Sequence, residues 1–312
     1  MLFNGVYVLW EDPLIVSCQG PREMHSSLSI PRPADILLHP TWLITPRSLP
    51  KLFYYRWQSR RLGKKVHFMC NADESNRLLR RLRLPGDLAS INCYINEQVF
   101  CIIPEKKQYD AVYAARMVPY KRLHLAAKVN SLFVQTYGDC RTPDGAYDLH
   151  RYEPRIKHCS FNRSWVSNGE LVSIYNRARV GLSLSKVEGA MLASVEYMLC
   201  GLPQVSTGCR GGREQFFDDR YVAVVNATSE AVATGVKDLI ARKVDPHFVR
   251  SETLKKIQIH RERMCDYIIN IIRQHREDAP SRDALLNHLF GNEKGIYKWF
   301  VQFKDYRMRH LA

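Results

Sequence analysis

An α/β protein with two domains, each built on a parallel sheet, is the fold class this sequence predicts. Three observations predict it. Short apolar runs recur with room for one helix between them, turn-forming residues fall at the ends of those runs, and 312 residues suffice for two separate cores. Strands alternating with helices of about ten residues imply right-handed crossovers, and hence parallel pairing.

The alternation is clearest from about Asp110. The runs Ala111–Ala115, Leu132–Tyr137, Val180–Ser185, Pro203–Ser206 and Tyr221–Asn226 read as strands. Helical spacing follows over Lys121–Val129. Ser167 and Glu170 have the spacing of a capping box that opens a helix through Arg177. Ala190–Leu199 reads as a helix, with Gly201 as its C-cap and Pro203 starting the next strand. Thr228 and Ser229 cap a helix to Ala241, and a long basic helix is expected over about 248–276, before a break at Pro280. In the first hundred residues, Leu14–Cys18, Ala34–Leu38, Lys65–Cys70 and Ser90–Ile95 read as strands. Pro31, Pro33, Pro40, Pro46 and Pro50 make 20–50 poor helix territory. A boundary near residue 105 is expected.

Composition excludes several classes. Hydrophobic residues make up 46% of the chain and aromatics 11%, far from a disordered or collagen-like sequence. No run of about 18 apolar residues is present to cross a membrane. Met1–Gly5 shows no secretory pattern, so a cytoplasmic chain is expected. The nine cysteines are scattered without a C-x-x-C pair, which fits reduced, buried thiols rather than a zinc ribbon or redox motif.

The net charge is +15, and more than half of it lies in one segment. Between Lys51 and Pro85 stand ten Lys or Arg against Asp73 and Glu74, interleaved with Phe53, Tyr54, Tyr55, Trp57 and Phe68. Such a stretch fits an anionic membrane surface, a phosphorylated ligand, a nucleic acid or a solvated face.

Three clusters fall at predicted strand ends of the second half, where open α/β sheets bind ligands. Arg116 ends the first strand and Lys121 follows five residues later; two cations there suit a diphosphate. The second cluster runs from Ser185 through Glu188, Gly189, Ala190, Met191 and Leu192 to Glu196. Small residues at a helix start favour an anion, and Glu188 suits sugar hydroxyls. Glu188 as an N-terminal cap and Glu196 on an exposed helix face are the structural alternatives. The third is Gly208–Glu214, whose Gly211-Gly212 pair suits a turn facing the same site.

Together these clusters resemble a family. Glu188 and Glu196 stand in a Glu-x7-Glu relation, followed by Cys200-Gly201-Leu202-Pro203, with Arg116 and Lys121 upstream in Arg-x4-Lys spacing. Asn96–Pro104 is similar to the element that precedes the family's linker. Over about residues 91–242 the chain resembles the donor-binding domain of GT-B fold retaining glycosyltransferases of the family 4, or group 1, type. The resemblance implies two Rossmann-like domains facing across a cleft, the first reduced: an acceptor-side domain over 1–105 and a nucleotide-sugar-binding domain over 106–280. A helical tail over 281–312, containing Trp299 and Phe300, is expected to pack back on the first domain.

The resemblance also implies roles. Arg116 and Lys121 would grip the donor diphosphate, Glu188 the donor sugar with Gly189–Leu192 beside it, and Glu196 the ribose hydroxyls. The loop carrying Asn162 and Trp165 stands where the family holds the base, Trp165 serving as a stacking platform or as core. Ala115 replaces the family's usual Gly, and no Gly-Gly loop follows the first strand. His39 is the candidate N-domain catalytic residue, with a structural strand-end role as its alternative; His25 and Asp73 are weaker candidates.

The expected reaction is retaining transfer of a hexosyl group from a nucleotide-diphospho-sugar to a hydroxyl of a glycan or glycolipid such as lipopolysaccharide or capsule. No Asp-x-Asp occurs, so no metal or other cofactor is expected, and fixed cations would stabilise the leaving diphosphate. Residues 51–85 would dock on an anionic membrane surface, with no nucleic acid involved. Two rival readings are a basic nucleic-acid-binding protein and a catalytically silent nucleotide-sugar binder.

Overall fold

The computed structural model describes residues 6–291, so Trp299 and Phe300 of the expected tail lie outside it. The chain forms two compact units, Ile95–Lys256 and a discontinuous unit of Met1–Tyr94 with Ile257–Ala312. The division therefore falls about ten residues before the expected boundary at 105. The second half of the long C-terminal helix also belongs with the N-terminal unit, not with residues 106–280.

In the discontinuous unit, β1 (Tyr7–Trp10), β2 (Ile15–Cys18), β3 (Asp35–Leu38), β4 (Lys65–Cys70) and β5 (Gly86–Leu88) form one sheet in sequence order. β1 is antiparallel to β2 and the remaining pairs are parallel. α1 (Pro21–Leu28), α2 (Leu49–Arg61) and α3 (Asp73–Arg81) join successive strands. Met24 and Leu28 of α1, Leu52 and Tyr55 of α2, and Leu79 of α3 share a core with Val16, Ile36, Leu38, Val66 and Phe68, so these helices cover one face. The side chains between, Asp35 and His67, meet the C-terminal segment instead. Asp35 accepts from His67 Nε2 at 2.7 Å and from His275 Nε2 at 3.0 Å, and Tyr267 OH lies 2.9 Å from His67 Nδ1.

Three expectations fail here. Residues 20–50 are not empty of helix, because Pro21 and Pro50 stand in first turns, where no N–H is required. Ser90–Ile95 is a 3-10 turn at Ile91–Tyr94 rather than a strand, its Ile91 N–H taken by Asn71 Oδ1 at 2.8 Å. His39 does not lie at an open strand end, and its surroundings fit the structural alternative. It is completely buried, with Nδ1 3.0 Å from Tyr94 OH and Nε2 3.1 Å from the Ala89 carbonyl.

The second unit carries six parallel strands: β6 (Tyr109–Arg116), β7 (Leu132–Tyr137), β8 (Ser160–Phe161), β9 (Ala178–Ser183), β10 (Gln204–Thr207) and β11 (Val222–Val225). Their order is β11-β10-β9-β6-β7-β8. The chain winds outward from β6 to β8, crosses back to pair β9 with the other side of β6, and winds outward again. That reversal opens a crevice at the carboxyl ends of β6 and β9, where neighbouring connections leave in opposite directions. The described strands of the first unit show no such reversal.

Helices α4 (Leu149–Tyr152), α5 (Asn168–Asn176), α6 (Leu192–Leu199) and α7 (Ser229–Arg242) complete this unit. α8 (Pro246–Arg273) continues from it into the first unit, and α9 (Arg282–Phe290) follows. The Ser167–Glu170 capping box forms as expected, and Thr228 caps α7. The helix expected over 121–129 does not form. Arg122 adopts φ 52 and ψ 46, which splits the segment into two 3-10 turns. Among the described residues no helix is long and apolar enough to cross a membrane.

Burial lowers the His39 pKa to about 3 and the His260 pKa to about 4. Both imidazoles stay neutral in the fold while the unfolded chain protonates near pH 6.5. Stability is therefore full above that pH and falls below it, by about 1.4 kcal/mol per pH unit for each group. Urea denaturation between pH 7 and 4 should show this acid limb, and His39→Gln should flatten it.

Candidate functional site

Three loops leave the carboxyl ends of β6, β9 and β10, and backbone hydrogen bonds tie them together. Lys186 N donates to Tyr120 O at 3.1 Å, joining the β9 loop to the β6 loop. Glu188 N donates to Arg210 O at 3.0 Å, Arg210 N to Lys186 O at 3.1 Å, and Gly212 N to Gly189 O at 3.0 Å. Gly211 permits this last approach. Its φ is +149, and a Cβ there would lie 1.9 Å from Glu188 O.

Within this frame the two residues central to the sequence reading meet. Lys121 Nζ donates to Glu188 Oε1 in an ion pair, and the two side chains are only 11% and 12% exposed. Tyr113 of β6 donates its hydroxyl to the Lys121 carbonyl and so fixes the lysine's backbone. The ammonium also lies 5.7 Å from the Tyr120 ring centroid. Burial raises the Tyr120 pKa, with Glu188 adding to the shift and Arg116 opposing it, so both charges act on this ring.

Arg116 stands apart from the pair. It ends β6, about half exposed, with Asp139 Oδ2 of the β7 loop at 3.6 Å; Asp139 is almost wholly in water. A guanidinium so weakly engaged can turn to a ligand at modest cost.

The segment expected to open a helix at Gly189-Ala190 instead remains loop. Met191 adopts φ 54, and α6 begins at Leu192. Gly189, Ala190 and Met191 are buried, and Leu192 is half-buried. Glu196 is not on an exposed face: it accepts from Tyr175 OH at 2.9 Å, and burial pushes its carboxyl above the ordinary range while that hydrogen bond works against the shift.

Asn162 is engaged by the fold. Its amide accepts from Thr136 N at 2.6 Å and donates to Thr136 O at 2.8 Å and Ser164 O at 2.7 Å, which fastens its loop to β7. It braces this loop in the unliganded protein. Trp165, three residues on, is 58% exposed, so it is not core. Its face is open to stacking.

Two arginines that the sequence reading passed over lie beneath the loops. Arg122 reaches Leu184 O and Thr207 Oγ1, each at 2.6 Å, and Arg213 is wholly buried with Nη2 2.6 Å from Thr207 O. The only signal was their position beside Lys121 and the Gly-Gly pair, which says nothing about burial. Among the described residues no group of three or more His, Cys, Asp or Glu is arranged to hold a metal ion.

A family model described as glycosyl transferase-like matches residues 122–247. Solved structures share the fold at low identity. A glycosyltransferase from Rickettsia africae aligns with TM-score 0.57 and 15% identity, over 84% of this chain and 77% of its own. Anabaena HepE in complex with UDP gives 0.56 and 13%, over 76% and 72%. Sucrose-phosphate synthase from Thermosynechococcus elongatus gives 0.54 and 16%, over 77% and 67%. No curated protein is matched by sequence.

Because Gly211 has no Cβ to strike Glu188 O, Gly211→Ala should separate the β9 and β10 loops. Hydrogen-exchange mass spectrometry should then report faster exchange at Glu188 and Arg210, with the β9 strand amides unchanged.

Proposed function

We propose that this chain is a GT-B glycosyltransferase of the group 1 type that moves a sugar, with retention, from a nucleoside-diphospho-sugar to a hydroxyl of a glycan or glycolipid; the glycosyl transferase-like match over residues 122–247 and the fold shared with solved glycosyltransferases support this reading. The observation that carries this reading is the Lys121–Glu188 pair at the point where the strand order reverses. Cleaving the bond to the diphosphate builds negative charge on the leaving phosphate and oxocarbenium character on the sugar. Fixed cations at that phosphate are the most useful groups the protein can supply. Lys121 is held in place by Tyr113 and Glu188, and Arg116 is exposed enough to turn onto the second phosphate.

Glu188 balances Lys121 in the unliganded protein. With the donor bound, the ammonium is shared with a phosphate oxygen and the carboxylate accepts from sugar hydroxyls. Glu196 stands about one turn into α6 with Tyr175 as its partner, and in this reading accepts from the ribose hydroxyls. Trp165 offers its open face to the base. The UDP complex of HepE supports a uridine nucleotide as the first candidate. Lys121, Arg116 and the backbone N–H groups of Gly189–Leu192 serve the diphosphate in this reading without a metal.

The acceptor side is proposed on the basis of charge. Phe53, Tyr54 and Trp57 are exposed along α2 together with Arg60 and Arg61, and Arg77, Arg80 and Arg81 are exposed on α3. Arg61 stacks over the Trp57 ring at 4.9 Å. This aromatic and cationic face suits an anionic membrane surface bearing a lipid-linked acceptor such as lipopolysaccharide or a capsule precursor, on the cytoplasmic side.

Three measurements check the reading. In a thermal-shift panel, a nucleoside-diphospho-sugar should raise the melting temperature, and no response to any of them removes the donor assignment. With that donor, Lys121→Ala and Glu188→Ala should each lower kcat by about 100-fold or more with the fold retained, EDTA should leave turnover intact, and NMR of the product should show the donor's anomeric configuration. Flotation with anionic liposomes should show salt-sensitive association that Trp57→Ala with Arg61→Ala weakens.

A further inference from the structure

Two strained backbone positions flank the donor site, and one threonine anchors both. Arg122, directly after Lys121, has φ 52 and ψ 46, and Met191, directly before α6, has φ 54 and ψ 77. Left-handed backbone is unfavourable for residues with a side chain and persists where the surroundings enforce it. Here the enforcing contacts can be named. Arg122 donates from Nε to Leu184 O and from Nη2 to Thr207 Oγ1, and Thr207 Oγ1 also lies 3.2 Å from Leu184 O. From the other side Arg213 donates from Nη2 to Thr207 O, and its Nη1 lies 3.4 Å from Met191 Sδ.

Two guanidinium groups thus close on one residue at the carboxyl end of β10. Burying cations and bringing like charges together both oppose folding, and an apolar side chain would fill the volume of Arg213 without that cost. Glu188 lies within electrostatic reach of Arg213 and so offsets part of it. Arg122 fixes the turn that presents Lys121, while Arg213 fixes the Met191 end of the loop that begins at Glu188.

We propose that Arg122, Thr207 and Arg213 form a strut that positions Lys121 and the Glu188–Leu192 loop for the donor diphosphate. This rests on the donor-site reading above. The three are positioning residues: they act through Lys121 and Glu188 and touch no reacting atom themselves. Without the Arg122 guanidinium, residue 122 relaxes from its left-handed conformation and the Lys121 ammonium leaves Glu188.

The test uses the full chain in two steps, with Arg122→Ala, Arg122→Gly, Thr207→Ala and Thr207→Ser. Hydrogen exchange of the unliganded proteins comes first. Arg122→Ala and Thr207→Ala should speed exchange across 117–122 at least tenfold, with β6 and β9 unchanged. Thr207→Ser, which keeps the hydroxyl, should hold wild-type protection. Arg122→Gly should fall between, since glycine adopts φ 52 without strain. Wild-type exchange in both alanine variants overturns the strut. Steady-state kinetics with a nucleoside-diphospho-sugar follows: Arg122→Ala should lower kcat at least tenfold and raise the donor KM less, and the double variant with Thr207→Ala should lose little more. Looser loops with unchanged kcat and KM overturn the positioning role. If the wild-type chain turns over no such donor, the donor reading has failed, and the exchange result still decides whether the strut exists.

Discussion

A lysine and a glutamate 67 residues apart share one nearly dry contact, and the arrangement of the second unit's crest follows from the need to keep it. Neither charge is tolerable alone at that depth, because removing one partner leaves the other desolvated and unpaired. Neither loop has regular structure of its own to hold it. Lys121 ends a 3-10 turn, Glu188 lies in a coil, and their positions are set by backbone bonds that run from loop to loop: Lys186 to Tyr120, Glu188 to Arg210, Gly212 to Gly189. The strand order brings the loops within reach of one another, since β6, β9 and β10 are consecutive neighbours whose carboxyl ends lie on the same edge.

Charge is used differently in the two units. In Ile95–Lys256 four cations gather around one edge. Arg116 is half in water, Lys121 is paired, and Arg122 and Arg213 are bonded to Thr207 beneath them. An excess of fixed positive charge in a partly desolvated site favours a multiply charged anion, because interactions there are screened less than at the open surface. In the first unit His39 is bonded to Tyr94 and Ala89, and Asp35 to His67 and His275. Arg60, Arg61, Arg77, Arg80 and Arg81 are exposed on α2 and α3.

Much of the sheet pattern was legible because apolar runs long enough to be buried on both faces can be little else. β4 and β7 match their expected bounds, and β2, β3 and β9 fall within a residue or two of theirs. β1, the three-residue β5 and the two-residue β8 were missed; nothing in such short stretches distinguishes a strand from a loop. The helix expected over 121–129 had the right apolar spacing, and one backbone conformation at Arg122 broke it. Ser90–Ile95 looked like a strand, and the side chain of Asn71, about twenty residues away, took the hydrogen bond that a strand would have used. His39 sat at a strand end as a catalytic residue would, yet the ring is sealed under Tyr94. These failures share a cause: a partner distant in the chain outweighed the local preference.

From sequence alone came the α/β class, the placement of the ligand edge in the second half, and the four charged residues Arg116, Lys121, Glu188 and Glu196. These are properties of local pattern and spacing, since period, capping and the position of a residue after a strand are written within a few neighbours. Only the tertiary structure decided which of those charges meet, that Asn162 is a brace, that Trp165 is open, and that Arg122 and Arg213 converge on Thr207. It also decided that residues 257–291 group with the first unit. Such outcomes depend on which strands become neighbours and on what is left without water, and neither is a property of any single segment.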